Sequence, residues 1–125
     1  FPKINNISLI DLVLLKIYPS LIENNFNEFS KSVTKLQNII GNYFNVFQGG
    51  IFSSPTVSNV LNFLKKENVL GYGQTSWGPT GFAFFSNIKK AELMKTKLKK
   101  RFSSCNNLEF IICSGKNSGA DIHLK

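Results

Sequence analysis

Apolar residues repeat at three- and four-residue intervals up to about residue 66, shift to short strand-like runs, and return to helical spacing after residue 87. Asn6 or Ser8 can cap a first helix that runs through Leu9, Leu12, Val13, Lys16 and Ile17. Pro19 is expected to kink that helix or end its first half, because its ring removes a donor and crowds the preceding turn. Leu21 and Ile22 carry the pattern to the turn signal Asn24-Asn25. Asn27 is the expected cap of a second helix, with Glu28 well placed against its N-terminal dipole and a stripe of Phe29, Val33, Leu36, Ile40 and Phe44. Gln48-Gly49-Gly50 breaks it. Ser54-Pro55 joins a capping hydroxyl to a proline in the first turn and starts a third helix, with Val57, Val60, Leu61 and Leu64 on one face.

Residues 69–74 and 81–85 read as two strands, and Ser86-Asn87 caps a last helix with the stripe Ile88, Ala91, Met94, Leu98 and Phe102. Residues 108–113 read as a short apolar strand and 115–119 as a loop, and 120–124 are expected to form a final edge strand. The order helix-helix-helix-strand-strand-helix-strand-strand predicts an α+β domain, an antiparallel sheet with helices packed on one face. The strand-strand-helix-strand tail fits a ferredoxin-like layout. One domain is expected over residues 1–125, with enough apolar residues, twelve of them Phe, to build a core.

Charge changes this picture little. The net charge of +8 fits nucleic acid, phosphorylated metabolites or plain solubility, and does not choose among them. Seven of the cations lie on the last helix, at Lys89, Lys90, Lys95, Lys97, Lys99, Lys100 and Arg101. Its apolar stripe leaves them on the solvent arc, and the aromatics that readers of single strands use fall mostly on core stripes, so nucleic acid is not expected. Cys105 and Cys113 match no zinc or redox spacing, and His123 is the sole histidine, so neither a metal centre nor a Ser-His-Asp triad is expected. No stretch is long and apolar enough for a membrane span, and the expected location is cytoplasmic.

The unusual stretch is residues 71–80. Gly71 and Gly73 interrupt a strand-like run, where glycine marks close approach by a ligand or another backbone. Gln74, Thr75, Ser76 and Thr80 supply donors and acceptors, Trp77 offers a broad stacking face, and Gly78-Pro79 sets a turn. Small residues leave backbone amides open to phosphate oxygens. A tight hairpin that satisfies its own polar groups fits the same residues equally well.

The Gly73-Gln74-Thr75-Ser76-Trp77-Gly78-Pro79-Thr80 segment closely resembles the GQSSWGPT signature of the β-ribofuranosylaminobenzene 5′-phosphate synthase family, within the GHMP kinase superfamily. Tyr18-Pro19-Ser20-Leu21 with residues 23–29, residues 37–50 ending in Gln48-Gly49-Gly50, and residues 117–122 resemble three further family stretches, in order and through almost the whole chain. The resemblance implies a ferredoxin-like C-terminal GHMP domain whose glycine-rich loop faces a cleft shared with an N-terminal domain. It implies a parent enzyme that joins phosphoribosyl pyrophosphate to an aminobenzoate-type acid, releasing carbon dioxide and pyrophosphate, in tetrahydromethanopterin synthesis. Substrate contacts are then expected from Gly73, Gln74, Thr75, Ser76, Trp77, Gly78 and Thr80, from Gln48, Gly49 and Gly50 on a second wall, and from Asn117 and Gly119.

Thr75 stands where the family usually has Ser, and Gly81-Phe82 where Val-Tyr is more common. The superfamily's Pro-x-x-x-Gly-Leu-Gly-Ser-Ser-Ala phosphate loop is absent, so this chain by itself is not expected to catalyse. The implied partners are a phosphorylated small molecule and an N-terminal GHMP domain, and a homodimer is compatible with the reading. Magnesium would suit a pyrophosphate-bearing substrate, but no ligand set for it stands out. Two alternatives stay open: the C-terminal domain of a GHMP small-molecule or sugar kinase, and a non-catalytic basic binding module. The kinases usually carry a run of glycines where this chain has Gln-Thr-Ser-Trp-Gly-Pro.

Overall fold

The computed structural model describes residue 3, residues 6–119 and residue 123. The elements are α1 (Asn6–Leu12), a π-helical turn (Val13–Ile17), α2 (Tyr18–Ile22), α3 (Phe26–Gln48), α4 (Pro55–Lys66), β1 (Tyr72–Gln74), β2 (Gly81–Ala83) and α5 (Ile88–Arg101). Together they make a small α+β fold.

Pro19 neither ends nor breaks the first helical segment. It sits in the first turn of α2, and the preceding π turn, closed by the Tyr18 amide on the Val13 carbonyl, widens the spiral where the proline ring would crowd it. Asn25, not Asn27, caps α3: its side chain accepts from the Glu28 amide at 3.1 Å. Ser54 and Asn87 cap α4 and α5 as their sequence positions predict.

β1 and β2 form an antiparallel hairpin with Tyr72 opposite Ala83, Gly73 opposite Phe82 and Gln74 opposite Gly81. The Phe84 amide donates to the Gly71 carbonyl and the Thr75 amide to the Thr80 carbonyl, which places residues 71, 73 and 75 on the bonded edge. The Tyr72 and Gln74 amides therefore point away from β2. Two side chains of α3, three residues apart on one face, meet them: Tyr72 N–H donates to Thr34 Oγ1 at 3.0 Å and Gln74 N–H to Gln37 Oε1 at 3.0 Å. Thr34 Oγ1 also donates to the Leu70 carbonyl at 2.7 Å. Helix side chains thus take the place of a neighbouring strand on the outer edge of β1.

Thr34→Val keeps the shape but removes both bonds. It should cost about 1–3 kcal/mol in denaturant unfolding and speed exchange of the Tyr72 amide, while Thr34→Ser should retain most of the stability.

Helices cover both faces of the hairpin, not the single face expected from sequence. On one face Gly71 and Gly73 lie against Ser30 and Gln37 of α3, and Phe84 stacks near Phe29 with ring centroids 5.6 Å apart. On the other, Tyr72, Ala83 and Phe85 join the core formed by Val60, Leu61 and Leu64 of α4 and Met94 and Leu98 of α5. Burial raises the Tyr72 phenol above its ordinary value, so this ring is a neutral core group. The strand expected at 108–113 forms no ladder, although Leu108 and Phe110 pack on the core. The edge strand expected at 120–124 lies outside the described residues, apart from the exposed His123.

Candidate functional site

Gln74 ties the site together. It is 8% exposed, and its side chain crosses from the hairpin loop to the segment before α4. Oε1 accepts from the Ser53 amide at 2.9 Å, and Nε2 donates to the Ser76 carbonyl at 3.1 Å. Gly78, with φ of 76°, comes so close to Ser53 that a Cβ there would run into the Ser53 hydroxyl. The loop at 74–80 and the segment at 48–54 therefore form one rim. Gln74 spends both ends of its side-chain amide on this brace.

Thr75, Ser76, Trp77 and Thr80 are exposed on that rim. Ser76 holds a left-handed backbone, φ 49°, which turns the loop outward. The Thr75 hydroxyl donates to the Thr80 carbonyl at 3.2 Å and so closes the loop base. Trp77 is 64% exposed and packs edge-to-face with Phe44 of α3 (centroids 4.9 Å apart, 63° between planes).

Gln48, Gly49 and Gly50 are in the first place a helix ending. Gly49 takes the left-handed C-cap conformation, φ 78°, and Gln48 Nε2 donates to the Gly50 and Ile51 carbonyls at 2.9 and 2.8 Å. The same residues line a recess of about 240 Å³ with Ser53, Ser58 and Asn59, beside the N-terminal turn of α4. Hydroxyls, a carboxamide and a helix N-terminus suit an anionic group of modest size. Asn117 and Gly119 are exposed and line neither this recess nor the larger groove at Thr75 and Thr80.

Among the described residues no carboxylate lines the recess, and no group of three or more His, Cys, Asp and Glu could hold a metal ion. Among them, too, no helix is long and apolar enough to cross a membrane.

Set beside family models, curated proteins and solved structures, the chain matches none. The likeness to the synthase signature rests on the quoted residues alone.

Sequence reasoning did not single out Thr34, Gln37 or Ser53. Thr34 and Gln37 follow the stripe residues Val33 and Leu36, and polar groups recurring three apart beside an apolar stripe are the one available signal. Ser53 contributes its backbone amide, which no side-chain pattern records.

Proposed function

We propose that the chain is the substrate-facing C-terminal domain of a GHMP-type enzyme resembling the β-ribofuranosylaminobenzene 5′-phosphate synthases, with a ferredoxin-like sheet. On this reading the rim holds the phosphate and ribose of phosphoribosyl pyrophosphate, Trp77 stacks on the aminobenzoate-type acid, and an N-terminal domain supplies the opposite wall. The observation that carries the reading is the Gln74 brace. It fixes the signature loop and the Gln48-Gly49-Gly50 wall as one surface beside a polar recess, with hydroxyls and the indole facing outward. Preorganised polar groups of this kind position an anion at low ordering cost.

The chain's role is binding and orientation. The Ser76 hydroxyl holds an oxygen, while the Thr75 hydroxyl and the Gly78 amide, which donate to the Thr80 and Thr75 carbonyls, hold the loop in shape. The seven acidic residues are scattered along the sequence, and none of the described ones lines the recess, so proton transfer is assigned to groups outside this chain.

Trp77 is the only tryptophan, so its emission reports on the rim directly. Titration with phosphoribosyl pyrophosphate should change that emission saturably, and Ser76→Ala should weaken binding by about 5–10-fold, the loss of roughly one hydrogen bond. ATP should bind more weakly than phosphoribosyl pyrophosphate; the reverse order would favour the kinase reading. Trp77→Ala should leave Tm almost unchanged, because most of the ring is exposed, while abolishing aminobenzoate-dependent pyrophosphate release in the full-length enzyme. Unchanged turnover would remove Trp77 from the site.

A further inference from the structure

Charge is unevenly shared along the chain. Helix α5 carries seven cations against one acid, Glu92, so 14 residues hold six of the chain's eight net positive charges. Met94 and Leu98 are buried in the core, which fixes the opposite side of the helix as the outward one. Leu93 lies on that outward side, 62% exposed, and does not line the groove that Met94 and Leu98 line. Lys89 and Lys90 stand four and three residues before it, Lys97 and Lys100 four and seven after it, so at helical spacing the four lysines surround the leucine. All four are exposed. Among the described residues Lys97 alone of the four is paired, with Glu67 at 2.6 Å.

We propose that this face of α5 docks on the anionic headgroup surface of a phospholipid bilayer, with Leu93 entering between headgroups and the lysines bridging them. A plane of phosphates and carboxylates complements a row of cations about 20 Å long, the length of a 14-residue helix. Lysine stems are apolar and flexible, so they lie along Leu93 while their ammonium groups reach the charges. Leu93 decides between polyanions. An exposed leucine ringed by lysines gains apolar burial on entering a bilayer interface, and gains little against the sugar-phosphate backbone of a nucleic acid. The helix also has no aromatic residue to stack on a base, and its one arginine stands at the last position, Arg101. Docking of this kind lays the helix on the surface and does not require it to cross the bilayer. No residue of α5 lines the recess at 48–59, so the docking face and the proposed phosphate-binding rim are separate.

The test is co-sedimentation of the 125-residue chain with large vesicles. Phosphatidylcholine vesicles with about 30% phosphatidylserine should bind the chain, pure phosphatidylcholine should bind it at least about 20-fold more weakly, and about 0.5 M salt should release it. Lys89→Ala with Lys90→Ala should weaken binding about 20–30-fold, the loss of two cations at the surface. Lys31→Ala with Lys35→Ala makes the same charge change at exposed positions of α3 and should weaken it less than about 3-fold. Leu93→Ser should weaken binding about 5-fold at an unchanged Tm, and Leu93→Phe should restore it. No binding to the anionic vesicles, equal losses from the two lysine pairs, or no effect of Leu93→Ser would overturn the proposal. So would tighter binding to a duplex of about 20 base pairs than to the anionic vesicles, which would assign the face to nucleic acid. Ser76→Ala should bind vesicles as the wild type does, so failure at the rim and failure at α5 are separable.

Discussion

Gln74→Ala is expected to lower stability by about 2–3 kcal/mol, roughly 8–15 °C in Tm for a domain of this size, and to abolish ligand binding at the rim. The loss has two parts. The Ser53 amide and the Ser76 carbonyl lose their partner, and both belong to segments that no other cited side chain joins. An unpaired, partly buried backbone group costs more than the bond itself contributed, because water reaches it poorly. The functional loss exceeds the stability loss, since separating the two loops dissolves the surface that would hold the ligand. Gln74→Glu divides the two bonds. A carboxylate still accepts from Ser53 but meets the Ser76 carbonyl as a second acceptor, so this variant should fall between wild type and alanine. Its protonated form can donate again, and the folded state raises the pKa of a buried carboxyl facing a carbonyl. The variant should therefore gain stability relative to wild type on acidification and lose it as pH rises, a trend that Gln74→Ala lacks.

Gly78→Ala should cost about 2–4 kcal/mol, more than the usual penalty for a left-handed residue. Its φ of 76° accounts for part of this. The remainder is steric, because the new Cβ would press on the Ser53 hydroxyl and lie 3.1 Å from Gln74 Oε1, the atom that accepts the bracing bond. Gly49→Ala makes a sharp control. Gly49 has nearly the same φ, 78°, but nothing lies within 4 Å of its Cβ position. That variant should lose only about 1 kcal/mol, the backbone cost alone. Denaturant unfolding of both proteins separates conformation from contact. Equal losses would show that the approach of the hairpin loop to Ser53 contributes nothing.

Much of this was legible in the sequence wherever one residue's own chemistry decides. Ser54-Pro55 and Asn87 mark helix starts because capping is local, and the two hairpin strands show through a change of period. What stayed hidden depends on residues far apart. The helix α3 shows an apolar stripe, yet its most buried residues are Ser30, Ser32 and Gly41, because small side chains let it approach neighbouring backbone. Hydrophobic periodicity cannot register a contact made by absent bulk. The edge bonds from Thr34 and Gln37 span 36 to 38 residues and leave no mark in local pattern. Asn25 displaced Asn27 as the cap of α3 because the helix starts one turn signal earlier, at Phe26. The apolar run at 108–113 was legible as alternation but forms no ladder. In the loop, Thr75, Ser76 and Trp77 were visible in sequence, whereas the bonds that Gln74 makes to the Ser53 amide and the Ser76 carbonyl were not.

The central claim is that the segments at 48–54 and 73–80 act as one phosphate-binding rim. Amide chemical-shift mapping of the whole chain during titration with phosphoribosyl pyrophosphate tests it most directly. The account predicts that amides of Gly49, Gly50, Ser53, Thr75, Ser76 and Gly78 shift together along one saturable curve with a single dissociation constant. Shifts confined to the Lys-rich helix α5, weakening steeply with salt, would contradict it and leave the basic binding module in its place.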